Sequence, residues 1–380
     1  MSRFGRAARY DRDHGIGVSS RLFLPVKRFP FLDWMRGLAV IIMIQCHAFN
    51  SFTRVDLRES SGYVLSQFVG GMAAPLFLFM AGMTFGFQME SLGLREPSRL
   101  RRWFVSLRRA GYILTIAYLF RLTNWLGSLP NAKVEELLKV DILNCMGLAM
   151  AAFALVALFN SNDRVRYALL GGLVVASAAP VMSGFDWSGV WPWLRDYLVP
   201  SPLRGRFPFF PCASYIGFGL AAGAVIKRTT AERMDRLMQW VVLLGFALVL
   251  GAEYFTSLPY SVYSNADFWR NSPGLILIRV GIALVLLAGA YLWTEYCVPR
   301  GWSWIENFGK TSLLVYWVHV MLVYGDWTKP LRYALTVFQA GLATVGVIVL
   351  MVALAELRLR WRPTKGQRWK AGTTVAGAPA

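Results

Sequence analysis

Apolar stretches of about 18–24 residues, separated by short basic or turn-rich segments, run along the chain from residue 31 to residue 354. A helix of that length crosses the hydrocarbon core of a bilayer. Ten such stretches are expected as membrane helices, near 31–50, 65–88, 103–126, 141–160, 166–183, 209–226, 237–256, 273–294, 310–326 and 333–354. No strand-like alternation of apolar and polar positions competes with them, and no internal repeat is visible. The pattern predicts an all-α fold: a polytopic membrane helical bundle of about ten transmembrane helices. It also divides the chain. Residues 1–29 form a basic tail, 30–355 the transmembrane domain, and 356–380 a second tail, basic at first, then small and polar and expected to be partly disordered.

Composition supports lipid as the solvent. Of 380 residues, 56% are hydrophobic and 16% charged, against about 25% charged in a soluble domain. The formal net charge is +19. In a soluble protein that would suggest a nucleic-acid partner; here it reads as basic loops retained on the cytoplasmic side, and no nucleic acid is expected. With the N-terminal tail inside, the inner segments hold 27 Lys and Arg, the outer segments 12, and Arg36 falls within the first helix. Both termini are therefore expected in the cytoplasm, with an even number of spans. The basic first 30 residues read as a retained tail without a cleavable signal, so a multi-pass protein of the cell (inner or plasma) membrane is expected. The four cysteines, Cys46, Cys145, Cys212 and Cys297, form no CxxC pair, and no metal-ligand set is visible.

Ionisable side chains within a span are costly and mark function. The first helix carries Asp33, Arg36 and His47. At 100° per residue, Arg36 and His47 fall within about 20° of one stripe, roughly 16 Å apart along the axis. Asp33 and Arg36, three apart, can pair near the inner end. Taken singly, Arg36 also reads as an anchor that snorkels to the cytoplasm, and His47 as a histidine bonded to a neighbouring helix. Further polar residues fall in outer halves of spans: Arg121 and Asn124, Asp141 and Asn144, Glu253, and Arg279. They suggest one hydrophilic pocket opening outward. Arg121 and Arg279 suit phosphate or carboxylate groups, or ion pairs with Asp141 or Glu253. Trp187, Trp191, Trp193 and Tyr197 in the loop 184–208 fit either an interfacial segment or a substrate platform. Gly82 and Gly86 form a small-x3-small pair suited to close helix packing. Cys46 adjoins His47, but neighbours on a helix point about 100° apart, which argues against a Cys–His nucleophile.

The stretch FLDWMRGLAVIIMIQCH (31–47) resembles the opening helix of the transmembrane acyltransferases: an LD-x-x-RG start, then an Arg-x10-His spacing. GGMAAPLFLFMAGMTFGF (70–87), NFGKTSLLVYWVHVMLVYG (307–325) and FPFFPCASYIGFGLAAGAVI (207–226) resemble helices of the heparan-α-glucosaminide N-acetyltransferase-like family within the acyltransferase-3-like superfamily. The likeness covers about residues 30–350. There is a departure: the lysosomal member of that family has its active histidine in the loop after the first helix, whereas 51–64 here holds none, and His47 matches the acyltransferase-3 position.

The resemblance implies transfer of an acetyl or longer acyl group from cytoplasmic acyl-CoA, with acetyl-CoA the expected donor, to a hydroxyl or amine of an extracytoplasmic glycan or glycolipid. A hydroxyl is a poor nucleophile until a base takes its proton, and neutral imidazole suits that role near neutral pH. Of three histidines, His14 lies in the tail, so His47 is the leading candidate base and His319 the second. His47 and Arg36 are therefore assigned to catalysis. His319, Asp33, Ser312, Tyr316, Asn144, Arg121 and Arg279 are assigned to substrate binding; Ser312, Tyr316 and His319 share a helix face. His319 reads as a group that binds the thioester carbonyl, as one that orients the acceptor, or as a packing histidine. Direct transfer and an acyl-imidazole on His47 both stay open. A homodimer is possible on sequence grounds, and a transporter or flippase with a polar path is the competing function class.

Overall fold

The computed structural model describes residues 29–129, 133–200, 207–259, 263, 267–297 and 303–361. All but one residue of the 1–29 tail, and the tail beyond 361, lie outside the described residues. The described chain is a bundle of α-helices: α1 (Pro30–Phe52), α2 (Ser61–Gly70), α3 (Ala73–Arg95), α4 (Arg99–Gly127), α5 (Ile142–Phe153), α6 (Ser161–Gly184), α7 (Pro192–Leu198), α8 (Phe209–Arg228), α9 (Ala231–Ser257), α10 (Pro273–Leu292), α11 (Trp304–Lys310), α12 (Ser312–Tyr324) and α13 (Val337–Arg360). The one β pairing among the described residues is a bridge between Thr53 and Leu335. Helix starts carry local signals. Pro30 and Pro273 open α1 and α10, where a missing N–H costs nothing. Ser98 caps α4, and capping boxes open α5 (Asp141 with Asn144) and α13 (Thr336 with Gln339), satisfying N–H groups that have no partner within the helix.

Among the described residues, seven helical segments are long and apolar enough to span a bilayer: 30–52, 61–95, 161–184, 209–228, 231–257, 273–297 and 337–360. The chain is thus an all-α, polytopic membrane bundle. The other three expected spans coincide with α4, which carries more charge, with α5 and its 3₁₀ continuation Ala154–Leu158, and with the 13-residue α12. Two expected spans differ in detail. That at 65–88 is broken after Gly70 into α2 and α3, with Gly70 against α1: a Cβ there would meet the Cys46 sulfur at 2.6 Å. That at 333–354 begins at Val337, after a 3₁₀ turn over Asp326–Leu331, and runs on to Arg360.

Small residues set the packing, because lipid supplies no hydrophobic drive to press helices together. A Cβ on Gly82 or Gly86 of α3 would lie 2.3 or 2.4 Å from the carbonyls of Ile216 and Leu220 on α8. Reciprocally, a Cβ on Gly219 or Gly223 would lie 2.0 or 2.2 Å from the carbonyls of Phe79 and Met83. The sequence reading of Gly82 and Gly86 as a packing pair therefore holds, and α8 supplies the matching glycines. α1 sits at the centre of its half, packed on α2, α3 and α10 through α13. α9 and α13 lie on the periphery and present large apolar side chains outward, such as Trp240 and Phe338. That is the surface lipid covers.

Neighbouring helices run antiparallel: Gly245 meets Gly281 and Gly274 meets Thr256 between α9 and α10, and Gly147 meets Leu114 and Asp141 meets Arg121 between α4 and α5, so the bundle has two ends. The end where α1 begins also carries Arg95, Arg102, Arg228 and Arg360 at helix termini, and is called the basic end. The end where α1 finishes is the far end.

Candidate functional site

The motif glycines of α1 and α11 have a packing role that places the site. A Cβ on Gly37 would fall 2.1 Å from the Ile305 carbonyl, and one on Gly309 would fall 1.7 Å from the Asp33 carbonyl. α1 and α11 therefore touch backbone to backbone at the basic end. This contact fixes α12, which follows α11 after one residue, alongside the upper turns of α1.

At the basic end Arg36 Nη1 donates to Asp33 Oδ1 at 3.0 Å, the expected i,i+3 pair. Arg109 of α4 joins this region: it bonds Gln88 and, at 3.4 Å, Thr84 on α3, and lies within electrostatic range of Arg36.

Three turns further along, His47 Nδ1 lies 3.0 Å from His319 Nε2 on α12, with the two rings stacked at 18° and 5.2 Å between centroids. His319 is fully buried, and its Nδ1 lies 2.7 Å from the Val315 carbonyl. A carbonyl only accepts, so His319 Nδ1 carries the hydrogen and, in the neutral ring, Nε2 carries the lone pair. His47 Nδ1 must then donate to it. In neutral His47 this leaves the lone pair on Nε2. The relay from carbonyl through buried imidazole to partly buried imidazole fixes one tautomer of His47, the task a third group performs for a catalytic base. The Tyr324 ring stands edge-on to His47 at 5.5 Å. Cys46 turns away toward α2, where its thiol faces Gln67 Oε1 at 3.6 Å.

Tyr316 packs on His319 at 6.0 Å and on Phe120 of α4 at 5.0 Å, and feels the charges of Arg121 and Asp141. Arg121 pairs with Asp141 at 2.5 Å and donates to the Lys139 carbonyl at 3.0 Å. The ion-pair reading of Arg121 is thus the one observed. Asn144 is buried with both ends engaged: its oxygen caps the Asp141 N–H, and its amide donates to Tyr197 at 3.0 Å. Tyr197 in turn meets Tyr118 at 2.6 Å, so α7 is latched onto α4 and α5. Trp191 is exposed, whereas Tyr197 is buried.

The remaining candidates are more scattered. Arg279 lies beside Tyr215 of α8 and reaches the α2–α3 break, where a Cβ on Gly71 would stand 3.4 Å from its Nη2. Its proposed partner Glu253 is exposed on α9 and takes no part in the pocket. Ser312 shares the helix face of His319 but lies at the basic end, in a cleft with Lys310 and Arg358.

One cluster escaped the sequence reading. Glu90 of α3 is buried and bonded to Arg228 of α8 at 2.9 and 3.0 Å, to Ser161 at 2.6 Å and to Arg164 of α6 at 3.4 Å. Arg102 of α4, also buried, lies within electrostatic range of Arg164, and its Nε has no hydrogen-bond partner. Arg102, Arg164 and Arg228 read as loop charges when counted for topology. The available signal was the carboxylate of Glu90 at the edge of an apolar run, which requires a partner.

Comparison with known sequences agrees with the resemblance at the coarser level. No curated protein matches the chain. The acyltransferase-3 profile, an acyltransferase domain, matches residues 29–356, which takes in every element described above from α1 to the last turns of α13, and the chain belongs to the acyltransferase-3 family of membrane acyltransferases.

Proposed function

We propose that the protein transfers an acetyl group from acetyl-CoA, bound from the cytoplasm, to a hydroxyl or amine of an extracytoplasmic glycan or glycolipid, with His47 as general base. The observation that carries this reading is the His47–His319–Val315 relay, which presents the His47 Nε2 lone pair from a fixed ring. The acceptor hydroxyl gives its proton to Nε2 as its oxygen bonds to the acyl carbon. The carbon–sulfur bond breaks, and the thiolate of CoA takes the proton back from the imidazolium. General-base help of this kind is worth about 10²–10⁴-fold. His319 stays neutral throughout and holds the ring.

The basic end suits the donor's phosphates. Arg102, Arg164 and Arg228 outnumber the one carboxylate among them, and the Arg102 Nε is buried without a partner. From there the donor's flexible arm would pass Arg36 and Arg109 and reach His47, roughly 16 Å along α1 from Arg36. Arg36, held by Asp33, would line that passage. Tyr316, packed on His319, and Arg279, at the α2–α3 break, would contact the acceptor. The motif stretches on α3, α8 and α12 favour kinship with the heparan-α-glucosaminide N-acetyltransferase-like proteins, and the basic ends of the helices favour insertion in the cell membrane with both termini inside.

The test is transfer across a bilayer. Purified protein in sealed vesicles, with the basic end facing labelled acetyl-CoA, should move label onto a glycan acceptor enclosed on the opposite side. Acceptor transport without loss of the thioester would instead support a flippase.

A further inference from the structure

A cleft of about 670 Å³ lies between α12 and α13 at the basic end, away from the His47 relay. Its rim is polar: Lys310 at the end of α11, Ser312 at the start of α12, and Arg358 in the last turns of α13. Its wall is apolar, built from Leu313, Trp317 and Leu354. Leu313 and Arg358 are exposed, so the mouth opens sideways onto the lipid-covered surface, not into the bundle.

The charge on the rim is specific. Lys310 is shared with Glu306 at 3.5 Å and with the Asn307 amide oxygen at 3.3 Å. The other nearby carboxylate, Glu356, accepts from Asn307 at 2.9 Å, and neither it nor Glu306 lines the cleft. With Arg358 the rim therefore carries two cations, one of them paired with Glu306. That excess of one matches a single phosphodiester. Thr311 spends its hydroxyl on the Asn307 and Phe308 carbonyls. Ser312, by contrast, makes no side-chain hydrogen bond among the described residues, and can donate to a phosphate oxygen.

We propose that this cleft binds one anionic glycerophospholipid from the leaflet into which the basic end opens. The phosphodiester sits at Lys310, Ser312 and Arg358, and an acyl chain lies along Leu313, Trp317 and Leu354. Basic pockets between membrane helices take acidic headgroups by this chemistry. Because α11 meets α1 backbone to backbone at Asp33 and Gly37, the lipid would brace the helix pair that carries the two histidines. The inference does not rest on the acyl-transfer reading.

Native mass spectrometry of the full chain in detergent, titrated with phosphatidylglycerol or phosphatidylcholine of matched chains, tests it without any activity assay. The expected result is a preference of about tenfold or more for phosphatidylglycerol, as two cations near a headgroup provide. In the double variant Lys310→Gln, Arg358→Gln the preference should fall toward unity. Should that variant fail to fold, Arg358→Gln alone, at an exposed position, should still reduce it severalfold. Equal binding of the two lipids, a preference untouched by Arg358→Gln, or displacement of the lipid by CoA would each overturn the proposal, the last by giving the cleft to the donor nucleotide.

Discussion

His47 and His319, 272 positions apart in sequence, meet at 3.0 Å between α1 and α12, and the Val315 carbonyl fixes the direction of the hydrogen bond between them. On this geometry His319 is a positioning residue. Replacing it with Ala removes the acceptor for His47 Nδ1 and should lower kcat by about 10–100-fold, a fraction of what a general base supplies, with KM for the acyl donor little changed. His319→Gln, whose amide oxygen accepts at a similar reach, should recover part of that loss. A packing role alone would make Ala and Gln equally harmful at equal stability. Steady-state kinetics of the two variants, with thermal unfolding of each, separates the cases.

The interlock of α3 and α8 leaves no room for a methyl group. Gly219→Ala would put a Cβ 2.0 Å from the Phe79 carbonyl. Backbone has to shift to admit it, at about 1–3 kcal/mol. Gly189→Ala, in open space, should be neutral. Unfolding in detergent monitored by scanning fluorimetry compares the two.

Glu90 neutralises Arg164 and Arg228 inside the bundle. Glu90→Gln leaves two guanidinium groups facing each other without the carboxylate, and Arg164 is almost wholly buried. The loss should be about 3–5 kcal/mol of stability, as for other broken buried pairs. Expression level and detergent unfolding are the readouts, and a variant as stable as the parent would deny the cluster its structural role.

Orientation is tested by labelling. In a chain with its native cysteines replaced, Leu100→Cys at the start of α4 and Gly189→Cys in the α6–α7 loop should react with a membrane-impermeant maleimide from opposite sides. Leu100 is 69% exposed and Gly189 has open space around it. Reaction of both from one side would contradict the odd number of spans between the two positions.

Much of the architecture was legible in the hydrophobic pattern, because lipid forces helices to satisfy their own backbone. The long spans, the Asp33–Arg36 pair and the Gly82–Gly86 contact all follow from short-range rules of length and spacing. What the pattern could not carry was any fact joining distant segments. His47 and His319 were each visible as a costly residue inside a span, but nothing along the chain says that the second donates to its own helix and accepts from the first. The split of one expected span at Gly70 was hidden because glycine is common in membrane helices and marks a break only when a neighbour, here Cys46, fills the gap. The Arg121–Asp141 pair was one of two readings open from residue type, whereas the bond from Asn144 to Tyr197 joins segments 53 positions apart and has no mark in the sequence. The Glu90 cluster was missed for the same reason.

The proposed transfer stands on the His47 imidazole taking the acceptor's proton. Its most direct measurement is single-turnover transfer of label from acetyl-CoA to a glycan acceptor by His47→Ala and by the parent protein, both folded and both shown to bind the donor. The rate constant should fall by about 10²–10⁴-fold while donor affinity stays within a few fold. Transfer by His47→Ala at the parent's rate would exclude His47 as the base.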